Sequence, residues 1–280
     1  MTLKLIALLG LVAFLFSCSQ TQNADKKSSS KDTIAQAKTT ADTTAEQLHQ
    51  IEFKLDNNAW TDFTGLLGKT PIQMSLFLWD NGELKGNYCL NENDRKIQLT
   101  GRITRGRITL NEFLNGKSNG RFEGKVFTDN LDRFEGTWTD VSNTNPIELK
   151  LILRSICGSK FDKRYADFYG ADAEVEKFMK RVKTSILHGD KEWIGNHISY
   201  PLNTTLFKNK SITIKNKNQL IDNFDQIFHQ EFKDNIKSFC VCNMFNNYQG
   251  AMLGNGEIWI NNTPNSTENK FDFTITAINN

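Results

Sequence analysis

The sequence predicts an α+β protein in two parts: an N-terminal all-β antiparallel meander, forming a curved sheet or small barrel, followed by an α+β domain. Three observations predict it. Apolar residues alternate with period two over about 50–157, the spacing turns helical after Cys157, and short apolar strands return towards the end. The 280 residues carry 34 Lys+Arg against 32 Asp+Glu, and a formal charge of +2 excludes the strong field by which nucleic acid or anionic lipid is bound through bulk charge. Twenty Phe and five Trp exclude a wholly disordered chain, and a mean hydropathy of -0.49 excludes a multi-span membrane protein.

Residues 1–17 read as a signal peptide. Lys4 gives a positive start, and Leu5 to Phe16 form an apolar run of 12 residues, within the roughly 7–15 of a secretory leader and short of the ~20 of a spanning helix. The run ends in Leu15-Phe16-Ser17-Cys18, which resembles the cleavage site of a bacterial lipoprotein. The resemblance implies cutting before Cys18, acylation of its thiol with palmitate-type chains, and a membrane as the first partner. Acyl chains contribute roughly 0.8 kcal/mol per buried methylene, so a multiply acylated Cys18 holds a protein on a membrane without a spanning helix. Ser19 follows and no acid precedes Asp25, so neither the inner-membrane retention signal nor the early acidic export signal of lipoproteins is present. The expected location is the bacterial outer membrane, lipid-anchored and facing the periplasm, with surface exposure open.

Residues 18–48 read as the lipidated Cys and a disordered tether. Positions 19–48 hold ten Ser or Thr, no aromatic, and only Ile34 and Leu48 as large apolar side chains, too few to offset the entropy of ordering. As a flexible coil, 30 residues span about 30 Å. Asp32-Thr33-Ile34 and Asp42-Thr43-Thr44 resemble the O-glycosylation acceptor of Bacteroidetes envelope proteins, which makes Thr33 and Thr43 candidate sugar sites.

Residues 49–158 read as the meander. Ile72, Met74, Leu76 and Leu78 alternate with Gln73, Ser75, Phe77 and Trp79, and Asn81-Gly82 is a tight-turn dipeptide. Similar runs follow near 84–90, 95–103, 106–113, 120–127, 133–139 and 146–153. Gly86, Gly101, Gly124 and Gly136 each stand between two large residues on one strand face, where a glycine leaves a notch for a cross-strand aromatic or permits a bend. The intervening Lys85, Asn87, Thr100, Arg102, Glu123, Lys125, Glu135 and Thr137 are expected to face water.

Residues 168–280 read as the α+β domain. Val175, Phe178, Met179, Val182 and Ile186 have helical spacing, with acids early, bases late and Gly189 as the stop. A short helix over 191–197 precedes Pro201, Leu220 to Phe228 mark another, and strands are expected around 239–248, 250–261 and 270–279. The course Phe178…Gly189-Asp190, Tyr200-Pro201-Leu202, Phe224-Asp225-Gln226-Ile227, Gly250 to Trp259 and the closing Ile275 to Asn280 resembles the nuclear-transport-factor-2-like cone, in a bacterial branch of unassigned function. That resemblance implies a bent sheet around a long helix and a pocket used variously for catalysis, ligand binding or dimerisation.

Four residues are ligand-pocket candidates. Asp225 and His229 stand four apart on the predicted helix, where a carboxylate can orient an imidazole. Glu257 and Tyr248 lie where a strand could project them into the cone. His188, just before Gly189, reads as a helix cap. With Cys18 committed to lipid, Cys89, Cys157, Cys240 and Cys242 allow three disulfide pairings. Cys240 and Cys242 fall on one face of a predicted strand, where near-parallel Cβ vectors oppose a mutual bridge, and a lone Cys-x-Cys lacks the second pair that zinc requires. No metal or cofactor is therefore expected, and no catalytic residue is assigned. No Ser-nucleophile motif, phosphate loop or His-Glu-x-x-His run occurs. The leading expectation is a non-catalytic envelope lipoprotein that binds an envelope protein, another envelope component or a small ligand. The alternatives are a small-molecule hydrolase or isomerase working in the cone, and an inhibitor or immunity lipoprotein.

Overall fold

Eight strands follow one another by short turns and close into a barrel. They are β1 (Ala59–Leu67), β2 (Thr70–Leu78), β3 (Glu83–Leu90), β4 (Arg95–Thr104), β5 (Arg107–Leu114), β6 (Lys117–Phe127), β7 (Arg133–Asp140) and β8 (Ile147–Cys157). Each pairs antiparallel with the next, and β1 pairs with β8, so the meander has no free edge. The computed structural model describes residues 55–90, 94–128, 131–142, 145–265 and 270–280. Cys18, Thr33 and Thr43, with the leader and tether, lie outside the described residues.

Eight strands leave an interior just wide enough for side chains to fill. Phe63, Ile72, Met74, Leu76, Leu84, Leu110, Phe122 and Phe134 fill it and are essentially inaccessible. A buried carboxylate joins them: Tyr88 Oη and Trp138 Nε1 donate to Glu112 Oε2 at 2.9 and 2.7 Å, and Asn119, the extra residue of a bulge in β6, donates to Oε1. Burial, reinforced by the Glu112 charge, holds the Tyr88 phenol protonated well above its ordinary range. Charged residues such as Lys85, Arg102, Glu123, Lys125 and Glu148 lie outside the barrel, the reverse of the apolar-out pattern of a membrane barrel.

The glycine notches are filled by backbone at Gly86, Gly101 and Gly136, and at Gly124 by backbone together with the cross-strand ring of Phe134. A methyl at Gly86 or Gly101 would sit 1.9 Å from the carbonyl oxygen of Ser75 or Thr109 on the adjoining strand, so the neighbouring chain itself, and no aromatic ring, occupies the space. β1, which no alternation announces, is buried on both faces. Phe63 points inward, while Trp60 packs outside with Phe77, Trp79 and Phe161.

After the barrel come α1 (Asp172–His188), α2 (Lys191–Asn196), a hairpin of β9 (Leu202–Leu206) and β10 (Lys210–Ile214), α3 (Lys217–Ile227) and α4 (Gln230–Lys237). A four-stranded antiparallel sheet closes the chain: β11 (Phe245–Asn247), β12 (Gly250–Leu253), β13 (Ile258–Asn265) and β14 (Lys270–Ile278). Val175, Met179, Val182 and Ile186 of α1 pack against Phe224, Phe228, Leu253, Ile260 and Ile275, and Gly189 ends the helix in the left-handed conformation at φ 73°. Among the described residues no helix is long and apolar enough to cross a membrane.

Two expectations about local structure are corrected. Asp225 and His229 do not share a helix: α3 stops at Ile227 and His229 is the N-cap of α4, its Nδ1 accepting from Phe232 N at 3.3 Å. Cys240 to Met244 are a loop laid over the outside of the barrel, and the strand starts only at Phe245. That loop also buries Asn87, expected to face water, which accepts from Asn243 Nδ2 at 2.6 Å.

The two parts form one compact unit, joined by a buried ion pair. Arg164, in the segment between β8 and α1, is 2% exposed and meets Asp62 of β1, also 2% exposed, at 2.7 Å. The same guanidinium donates to the carbonyls of Asn243 at 2.9 Å and Met244 at 3.2 and 3.3 Å and lies over the Trp60 ring. Ser75 and Ser155 hydroxyls complete the shell of Asp62 at 2.6 and 2.8 Å. Burial is the largest single influence on Arg164 and opposes its charge, but Asp62, joined by Tyr165 and Cys157, holds the group above its ordinary range. Around this pair Gln73 donates to the carbonyls of Cys242 and Asn243, while Lys96 and Tyr165 both donate to Glu176 of α1.

Removing one member of a buried pair strands the other. Asp62→Asn or Arg164→Met is expected to cost roughly 3–5 kcal/mol in urea unfolding, and the double change Asp62→Leu with Arg164→Met less than the sum of its parts. Gly101→Ala is expected to destabilise by about 1–3 kcal/mol through overpacking. Gly158→Ala, where a Cβ meets nothing within 4 Å, should stay within about 0.5 kcal/mol in the same measurement.

Candidate functional site

Of the four ligand-pocket candidates the fold gathers two. His229, at the start of α4, and Glu257, in the turn between β12 and β13, line an open groove of about 670 Å³ with Phe207, Asn235, Asn279 and Asn280. Asp225 lies outside it, exposed and paired with Lys191 at 2.7 Å, and the hydrogen-bonded ammonium holds its carboxyl below the ordinary carboxylate range. Tyr248 does not project into the domain: it sits at the tip of the β11–β12 hairpin, 82% exposed. The interior that the cone was expected to enclose as a pocket is packed with Val182, Phe224 and Phe228, so the groove lies on the surface.

Each wall of the groove has a local cause. The β9–β10 turn brings Lys208 and Asn209 to φ 66° and 60°, and Phe207 beside them is half exposed, its ring 5.2 Å from that of His229. His229 accepts at Nδ1, so its proton lies on Nε2, a donor. Glu257 accepts from Asn235 Nδ2 at 2.9 Å through Oε1 and from Asn255 N at 2.6 Å through Oε2. Its carboxylate lies against Gly254, whose φ of 66° and absent side chain admit it. The last two residues close the floor: Asn279 donates to Gly256 O, and Asn280 donates to Ile227 O while accepting from Thr205 N. The result is a set of amides with the carboxylates of Glu231 and Glu257 and the ammonium of Lys208 beside an exposed aromatic face, suited to orienting a polar ligand. Phe207, Asn235, Asn279 and Asn280 escaped the sequence reading. The Leu202/Thr204/Leu206 alternation before Lys208-Asn209 was a hairpin signal.

A second cluster lies where the C-terminal part covers the barrel. Cys89 of β3 is bridged to Cys242, 153 residues on, and the free thiol of Cys240 lies within 4.8 Å of both sulfurs. All three are buried. Burial pushes the Cys240 thiol up to about 12. Asp94 reaches into the cluster by accepting from Val241 N at 3.0 Å. Lys183 of α1, 9% exposed, donates to Phe239 O beside it, and burial lowers its pKa. Cys157, the other free thiol, sits apart against Ser159 and Asn246. A cleft of about 210 Å³ adjoins the cluster, lined by Asp62, Gln73, Arg154, Ser155, Cys240 and Met244. Arg154 is the extra residue of a bulge in β8 and donates to Asn255 Oδ1. His188, expected as a helix cap, places Nδ1 2.8 Å from Thr184 O.

Comparison with protein-family models, with curated proteins and with solved structures returns no significant match.

Proposed function

We propose that the chain is a lipid-anchored, non-catalytic binding protein of a bacterial envelope, in which the tether presents the barrel and the groove around His229 and Glu257 receives a polar ligand. The anchor rests on the apolar leader and Leu15-Phe16-Ser17-Cys18. The order of helices first and antiparallel sheet last supports placing residues 168–280 in the nuclear-transport-factor-2-like branch, with binding at a surface groove and not in an enclosed cone.

The observation that carries the binding reading is the make-up of the groove's lining. Nδ1 of His229 is engaged in holding the start of α4, and Asp225 faces Lys191 outside the groove. Phe207 gives an exposed aromatic face, Asn235, Asn279 and Asn280 a rim of carboxamides, and Lys208, Glu231 and Glu257 add charged groups. A saccharide, with an apolar ring face and hydroxyls around its edge, fits that combination.

Two experiments test the proposal. Labelled palmitate is expected to enter the wild-type protein and not Cys18→Ala, and equal labelling, or a mature chain that keeps Met1, overturns the anchor. In thermal-shift measurements with envelope saccharides, a binder at 100 times its Kd contributes about 2.7 kcal/mol. For a folded region of this size that raises Tm by roughly 5–10 °C. Phe207→Ala should abolish the shift and Tyr248→Ala leave it. Conversion of the ligand to product, or no saccharide raising Tm, overturns the binding reading.

A further inference from the structure

The cysteine cluster has a geometry that a structural bridge alone does not need. A bridge uses two sulfurs, yet a third is held within 4.8 Å of both, in a loop fastened to the barrel by Gln73, Asn87 and Asp94. Tetrahedral zinc with sulfur ligands has Zn–S bonds of about 2.3 Å, which places ligand sulfurs about 3.8 Å apart. The Cα atoms of Cys89 and Cys242 are 6.6 Å apart, near the upper end of the range that a bridge spans, so the two sulfurs can separate to that distance by side-chain rotation.

The surroundings are already charged for it. Asp94 borders the cluster, its Oδ1 accepting from Val241 N at 3.0 Å. Lys183 is buried beside Asp94 and Cys240, and Lys180 lies 3.4 Å from Asp94 Oδ2. A buried ammonium beside Cys240, with Lys180 and Asp94 near it, suits a cluster that becomes more negative than the bridged form is.

We propose that, once the bridge is reduced, Cys89, Cys240 and Cys242 hold one thiophilic divalent ion such as Zn2+, with a water molecule as its fourth ligand. Reduction by a dithiol adds two electrons and two protons, turns the Cys89–Cys242 bond into two thiols and leaves the reductant as its disulfide. Metal binding then releases three thiol protons to solvent and forms three S–metal bonds, with water at the fourth position. Three thiolates on a divalent ion carry a net −1, which the ammonium of Lys183 beside the cluster balances. Soft sulfur donors in a four-coordinate set favour zinc over magnesium or calcium. The cysteine cluster therefore has two states, a covalent bridge and a metal centre, each tying β3 to the C-terminal loop.

The test uses the full-length chain in a Cys18→Ser/Cys157→Ser background, so that the three cysteines are the only thiols. Reduced with a phosphine, stripped by chelator and titrated anaerobically with Co2+, it is expected to bind one equivalent, with a strong thiolate-to-cobalt band that one equivalent of Zn2+ removes. The bridged form should show no band. Cys240→Ser should weaken binding at least as much as loss of an outer-shell partner does, up to roughly 100-fold. Because Cys240→Ser keeps the Cys89–Cys242 bridge, an unchanged Tm in its oxidised form separates loss of a ligand from loss of fold. Equal Co2+ binding by the parent and Cys240→Ser, or no sulfur band in either, overturns the proposal and leaves the cluster as a bridge only.

Discussion

A single buried ion pair sets how this molecule is put together. Arg164 reaches through Nη2 from the segment after the barrel to Asp62 on its wall, and the same Nη2, together with Nε, donates to the carbonyls of Asn243 and Met244. An uncompensated charge at either position would cost several kcal/mol, so the pair tolerates very little displacement. Everything between barrel and C-terminal part follows from that constraint. The loop that carries Cys240 and Cys242 is held against β2 and β3, the cleft lined by Arg154 and Cys240 has fixed walls, and α1 is oriented through Tyr165 and Glu176.

Pattern in the sequence was readable where one face of an element meets water and the other meets a core. Ile72, Met74, Leu76 and Leu78 announced β2, and Val175, Met179, Val182 and Ile186 announced α1. β1 left no such trace because neighbours cover both of its faces, so Trp60, Asp62 and Phe63 alternate between two buried environments. The break between α3 and α4 was hidden for another reason. No Gly or Pro marks it, and a histidine takes the capping place usually given to Ser, Thr, Asp or Asn. Arg164 reads in isolation as one more solvated charge, and only the fold reveals Asp62 opposite it. The third cysteine is likewise invisible from the Cys-x-Cys pair, because Cys89 stands about 150 positions away on a strand of the barrel.

Packing also decides where a ligand can be met. The barrel interior is filled by Phe63, Phe122 and Phe134, and the helices and sheet of the C-terminal part close over Phe224 and Phe228. Binding chemistry is thereby confined to the outside, where the turn after β9, the start of α4 and the final two residues converge. Asn279 and Asn280 hold that convergence by donating side-chain amide hydrogen bonds to the carbonyls of Gly256 and Ile227, so the groove takes shape only when this part of the sheet has docked.

Closure of β1 on β8 has a consequence for how the chain emerges during synthesis. Every partner of the barrel strands lies before residue 158, so the barrel can be completed while the rest is still unmade. At that moment Asp62 is an acid on the outer wall with only serines to satisfy it, open to water on the side later covered. Arg164 is the first element to arrive, seven positions beyond the last strand, and the carbonyls it also needs come some eighty residues later. Assembly thus has a built-in direction, a finished cylinder waiting for a latch that is supplied in two instalments.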